Sequence, residues 1–146
     1  MESNTQIWSP KTQVMERTIE SVQRNFTRYL LFLPRFSKDG PSYEQRLKTL
    51  DLTSLSRRRL VYDLCLVYKI LHNLCYTPDQ LFYLRQRKSR GHDWTLEHIY
   101  SKSVTRSTYF SIRVIPVWNA LPAEVVAAGN IRVFKQRLSN HLDRAH

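Results

Sequence analysis

At 146 residues and 17.4 kDa, with 42% of its residues apolar, the chain is sized for a single core, and no apolar run approaches the roughly 20 residues of a membrane-crossing helix. Lysine and arginine number 23 against 12 acids, giving a net charge of +11 and an isoelectric point near 10.1, a field that suits a polyanionic partner. The basic residues run from Lys11 to Arg144 instead of forming a detachable tail, so the field is expected to belong to the folded body.

Ser9-Pro10 has the form of a helix cap followed by proline at the first helical position, where its missing N–H costs nothing. Apolar residues then recur at Met15, Ile19, Val22, Phe26, Tyr29 or Leu30, and Leu33, steps that predict one buried stripe in a helix ended by Pro34. Arg17, Arg24 and Arg28 follow steps of seven and four, which at about 100° per residue form a second stripe suited to tracking a phosphate backbone. The segment 37–41 is a turn. Ser42 with Gln45 has capping-box spacing, so a short helix is expected from about Tyr43 to Leu50, with Tyr43, Leu47 and Leu50 inward. Thr53 or Ser54 caps a longer helix whose stripe of Leu60, Leu64, Val67, Leu71 and Leu74, widened by Tyr62, Leu66 and Ile70, marks it as central. Arg57, Arg58 and Arg59 in its first turns must fan out, because neighbours along a helix do not share a face.

Thr77-Pro78-Asp79-Gln80 predicts a short helix through Leu84. Arg85, Arg87, Lys88 and Arg90 follow as a basic loop without an apolar anchor. Weak alternation between Trp94 and Tyr100 leaves room for one short extended segment, but two strands are not visible. A helix is expected from Ser107 with Phe110, Val114, Val117 and Trp118 inward, kinked or broken at Pro116. Pro122 begins a further helical turn. Asn130 caps a terminal helix whose core residues are Ile131, Phe134, Leu138 and Leu142, with Arg132, Lys135 and Arg137 outside that stripe. Phe26, Phe110, Trp118 and Phe134 are all expected in the core. The fold class is therefore mainly α: a small multi-helix domain with a basic loop and room for one short extended segment.

The chain lacks the paired carboxylates that a two-metal polymerase or nuclease site requires, and Asp63 is read as an ion-pair carboxylate. Cys65, His72 and Cys75 have no zinc-knuckle spacing and are read as buried thiols and a satisfied histidine, so no metal or cofactor is expected. Two cysteines without a second pair suit reduced thiols in a nuclear or cytoplasmic protein, and the first residues lack the layout of a signal peptide. No glycine-rich phosphate loop is present. What remains is arginine, lysine and aromatic residues, the inventory for gripping phosphates and stacking on bases without sequence preference.

Three stretches resemble the region after the polymerase palm in LINE-type, jockey-like non-LTR retrotransposon reverse transcriptases. The first is Ile7-Trp8-Ser9-Pro10 followed by the run from Ile19 to Arg28; the second comprises Tyr43 to Leu47, Leu50, Ser54-Leu55, Arg57-Arg58, Asp63-Leu64 and Val67 to Leu71; the third is the run from Tyr109 to Pro122, then Val125-Val126 and Phe134 to Leu138. In order, they span about residues 7 to 142. The resemblance implies a C-terminal, thumb-and-extension fragment of an RNA-directed DNA polymerase, with thumb-like helices over about 10–84, the basic loop at 85–93 and an extension at 94–146 in one helical domain. Fingers and palm are missing, so the chain is expected to be no enzyme by itself and to be a truncated copy, a misread frame or a domesticated remnant. A thumb cut from its palm is expected to expose an apolar face, with Ile19, Val22 and Phe26 as candidates.

The resulting expectation is sequence-independent binding of an RNA–DNA template–primer through phosphates by Arg17, Arg24, Arg28, Arg57, Arg58, Arg85, Arg87, Lys88 and Arg90. Trp94 and Tyr109 are the candidates for base stacking. The expected partners are RNA and DNA and the missing palm and fingers, with no membrane. The alternative is a structural or protein-interaction remnant that binds no nucleic acid.

Overall fold

The computed structural model describes residues 5, 7, 9–10, 12–33, 40–77, 80–86 and 92–144. Among them are seven helices and no strand beyond one isolated bridge, so the chain is mainly α. No helix among the described residues is long and apolar enough to cross a membrane. The described residues divide into two compact units, the first drawn from 9–60 and the second from 5, 7 and 61–144.

The first unit contains α1 (Gln13–Leu30), α2 (Tyr43–Thr49) and the opening turns of α3 (Leu55–Leu71). α1 begins later than Ser9-Pro10 suggests: Thr12 is its cap, with Oγ1 accepting from the Met15 N–H at 3.3 Å. The capping box at α2 is complete, since Ser42 Oγ accepts from Gln45 N and Gln45 Oε1 accepts from Ser42 N. Ser54 caps α3 through the Arg57 N–H.

The buried face of α1 lies about 100° round the helix from the one that periodicity suggests. Glu20, Gln23 and Thr27 are buried, whereas Met15, Val22, Phe26 and Leu30 are 53, 48, 54 and 40% exposed. Ile19 is half-buried. The polar face turns inward because α2 and the start of α3 present polar groups that need partners. Glu20 accepts from Leu55 N, Ser56 N and the Tyr43 hydroxyl. Gln23 donates to the Thr53 carbonyl and accepts from Arg58, and Thr27 Oγ1 accepts from buried Arg46. Arg59, also buried, lies 3.6 Å from Glu16. Phe26 is thus exposed and not a core residue.

α1, α2 and α3 all end in the same way. The residue after each C-cap takes a left-handed φ: Phe32 at 52°, Asp51 at 50° and Asn73 at 53°. Their amides bond the carbonyls of Tyr29, Lys48 and Ile70, and the next amides, of Leu33, Leu52 and Leu74, reach back to Arg28, Leu47 and Lys69. This double closure, a Schellman motif, satisfies carbonyls that a helix end otherwise leaves open, and α1 ends at Leu30; Pro34, the expected stop, lies outside the described residues. Asn and Asp adopt this conformation cheaply, whereas for phenylalanine it is strained. Phe32 is also 94% exposed, so its ring gains little packing in return. Phe32→Gly is expected to stabilise the first unit by about 0.5 to 1 kcal/mol, the left-handed penalty less the entropy of glycine, read from urea midpoints.

The second unit is built around α3 from Val61 onward, α5 (Phe110–Asn119) and α7 (Ile131–Arg144), with the single turns α4 (Val104–Ser107) and α6 (Ala123–Val126). Leu64, Val67, Tyr68, Trp118, Phe134 and Leu138 are among its most buried side chains. The rings of Tyr68 and Phe134 stack at 4.6 Å, and the Tyr68 hydroxyl donates to the Ala128 carbonyl at 2.6 Å. Asn130 caps α7 by accepting from Val133 N at 2.9 Å, and Pro122 opens α6. The stripe on α3 is shorter than expected: the helix stops at Leu71, leaving Leu74 exposed, and Tyr62 within the helix faces outward.

Two helical expectations fail in this unit. The helix expected through Leu84 is not formed at 80–84, while Pro78 and Asp79 lie outside the described residues. Leu84 instead bridges antiparallel to Leu96, with Arg85 N donating to the Thr95 carbonyl and Glu97 N to that of Tyr83, both at 2.8 Å. Side chains of α5 fix the partner segment: Asn119 bonds both backbone groups of Leu96, and the Trp118 indole donates to the Trp94 carbonyl. These anchors outweigh the local capping signal, and they place a pairing where two strands were not expected. The helix expected from Ser107 is likewise interrupted at Thr108 and Tyr109, after which α5 runs unbroken through Pro116, with Ile112 and Ile115 buried and Val117 exposed.

Candidate nucleic-acid interface

Five of the arginines singled out in the sequence lie in the first unit. Arg17, Arg24 and Arg28 share α1 at helical spacing, opposite its exposed apolar face, and the span from Arg17 to Arg28 is about 16 Å at 1.5 Å per residue. One strand of B-form duplex carries about five phosphates over that length, at 3.4 Å each. Arg17 and Arg24 are exposed and Arg28 is half-buried.

α2 adds two residues that spacing along α1 does not reveal. The Arg24 guanidinium lies 4.8 Å from the centroid of the Tyr43 ring and that of Arg46 5.6 Å from the same ring. Arg46 is fixed by donating to Thr27 Oγ1 and, at 2.7 Å, to the Pro41 carbonyl. Burial holds the Arg46 guanidinium below its ordinary value, and the positive fields of Arg28 and then Arg24 push in the same direction against the favourable influence of Tyr43. Arg24 and Arg28 are therefore both close enough to act on Arg46, and the three guanidinium groups concentrate positive charge where α1 meets α2.

Tyr43 joins this cluster to the interior. Burial, then the hydrogen bond to Glu20 and its negative charge, raise the phenol above its ordinary value of 10.0, with Arg24 opposing. A folded value above the unfolded one means that the contribution to stability is fully present below about pH 10 and is lost as the pH rises through the folded value. Burial raises Tyr68 of the second unit as well, so ultraviolet titration is expected to show a late component from both tyrosines, and Tyr43→Phe should remove the part released when the first unit loosens.

Arg57 and Arg58 occupy the first turns of α3 and are both half-buried. Arg58 spends a donor on Gln23 Oε1 at 2.7 Å. The second unit holds Arg85, which is exposed, whereas Arg87, Lys88 and Arg90 lie outside the described residues. Trp94 is half-buried with its ring 4.5 Å from that of His72, so part of its surface is engaged within the unit. Tyr109 is exposed at the head of α5.

Asp63 is buried in an ion pair with Arg113, accepts from the Thr5 hydroxyl at 3.0 Å, and is a structural carboxylate. Cys65 and Cys75 are unpaired thiols, and burial pushes that of Cys65 up. Among the described residues no group of three or more histidine, cysteine, aspartate or glutamate side chains is placed to hold a metal. Comparison of the chain with protein-family models, curated proteins and solved structures gives no match.

Proposed function

We propose that the chain is the thumb-side C-terminal fragment of a non-LTR retrotransposon reverse transcriptase, without catalysis of its own, and that it binds template–primer nucleic acid through phosphates. The resemblance of three ordered stretches supports the family. The observation that carries the binding is the gathering of Arg24 and Arg46 against the Tyr43 ring, with Arg28 close enough to act on Arg46 and Arg17 extending the charge along α1. Binding of this kind reads charge and spacing rather than base identity, so little sequence preference is expected.

The test is fluorescence anisotropy with a labelled RNA–DNA hybrid, single-stranded RNA and duplex DNA at about 50 and 200 mM salt, a range over which neutralising six to ten phosphates costs about 10³ to 10⁵ in affinity. The expected result is salt-sensitive binding that favours the hybrid. Arg24→Glu with Arg28→Glu should weaken it at least about tenfold and flatten the salt dependence by about 0.7 to 0.9 in log–log slope for each phosphate no longer neutralised. Binding by a folded sample that ignores salt would sink the proposal.

A second reading, a protein-interaction remnant, is favoured by one observation: the exposed stripe of Met15, Val22, Phe26 and Leu30 on α1. It predicts that the same charge reversal leaves every property but net charge intact.

A further inference from the structure

The end of α7 carries a separate concentration of positive charge in the second unit. Arg137, His141 and Arg144 follow steps of four and three, which puts them within about 60° of one another around the helix axis. With Asn140, and with Glu124 and Val125 of α6, they line an open cleft of about 310 Å³. That volume is at the small end of the range for ligand sites, which begins at roughly 300 Å³.

One Nη of Arg137 donates to the Glu124 carbonyl at 2.5 Å, which orients the guanidinium at the cleft wall while its planar fork carries further donors. α7 as a whole bears Arg132, Lys135, Arg137 and Arg144 against one acid, Asp143. Like charges crowded on one helix work against the fold unless a counter-charge lies among them. The helix dipole accounts for a cation at the last position, Arg144, but its reach ends within the last turn and does not extend to Arg137. Glu124, whose carbonyl holds Arg137, is the one acid of the lining against three basic side chains. A group with several acceptor oxygens and a negative charge would engage all three basic side chains at once.

We propose that this cleft is an oxyanion site that takes a phosphate group, held by Arg137, His141 and Arg144 with Asn140 as a neutral donor. It does not depend on the arginine stripe of α1. Two sources supply the same chemistry: a free phosphate or small phosphorylated molecule, and the phosphodiester of a nucleic acid.

The experiment is a nuclear magnetic resonance titration of the full chain, following the His141 ring while inorganic phosphate replaces chloride at constant ionic strength. A second arm adds a short single-stranded oligonucleotide to the Arg24→Glu, Arg28→Glu variant, so that binding at α1 does not mask the signal. Phosphate is expected to shift the His141 ring saturably. Arg144→Gln should weaken that response about tenfold, the scale of one charge-assisted hydrogen bond. Arg137→Gln should do the same but can also loosen α6 from α7, so Arg144→Gln decides. A response to both probes supports the site with nucleic acid as its source, and a response to phosphate alone supports it with a small phosphate. A His141 ring that moves no more with phosphate than with chloride, or that responds equally in Arg144→Gln, overturns the proposal.

Discussion

Asp63→Ala is expected to destabilise the second unit by about 3 to 5 kcal/mol, the range for breaking a buried ion pair from one side. Asp63 is 2% exposed and bonds both Arg113 and the Thr5 hydroxyl, while Arg113 also donates to the Thr5 carbonyl at 2.9 Å. Removing the carboxylate leaves a partly buried guanidinium without its counter-charge and a hydroxyl without its acceptor. Arg113→Met together with Asp63→Leu should recover most of the loss, because replacing both partners removes the stranded charge. Urea melts followed by tryptophan fluorescence measure both. A single variant as stable as the parent would mean that water reaches Arg113 and that the pair contributes nothing.

The first unit depends on a different carboxylate. Glu20→Ala is expected to cost about 2 to 3 kcal/mol, since it strips acceptors from the Leu55 amide, the Ser56 amide and the Tyr43 hydroxyl together. Those amides begin α3, so a side chain of α1 caps a helix 35 residues further along the chain. Glu20→Gln keeps one acceptor oxygen and should lose about half as much. Hydrogen exchange at Leu55 and Ser56 provides the local readout: faster exchange there, ahead of the rest of α3, is the signature of a missing cap. Unchanged exchange would assign the cap to Ser54 alone.

These two carboxylates mark how far the sequence can be read. Caps made from neighbouring residues were legible: Ser42 with Gln45 at α2, Ser54 at α3 and Asn130 at α7 all act as their spacing suggests. Thr77 to Gln80 carries the same kind of signal, yet 80–84 is not helical, because Asn119 and Trp118 hold the segment that pairs with it. Local chemistry cannot anticipate an anchor that arrives from more than twenty residues away. Periodicity correctly grouped the residues that share a face on α1, but it assigned burial to the apolar group. The choice was made by polar partners on α2 and α3, which are invisible along α1 itself. The candidate interface divides in the same way: Arg17, Arg24 and Arg28 follow from spacing, whereas Arg46 and Tyr43 join them only through tertiary packing.

The inward turn of Glu20, Gln23 and Thr27 also bears on how the molecule responds to heat. Heat capacity rises on unfolding as apolar surface meets water and falls as polar surface does, by about +0.45 and −0.26 cal/K/mol/Å². A unit closed by a carboxylate, amides and guanidinium groups, with its apolar stripe already wet, has little of the first kind to expose. Its free-energy curve should be shallow and its calorimetric transition broad and small. The unit containing Trp118, Phe134 and Leu64 should instead give a peaked endotherm with a clear baseline step.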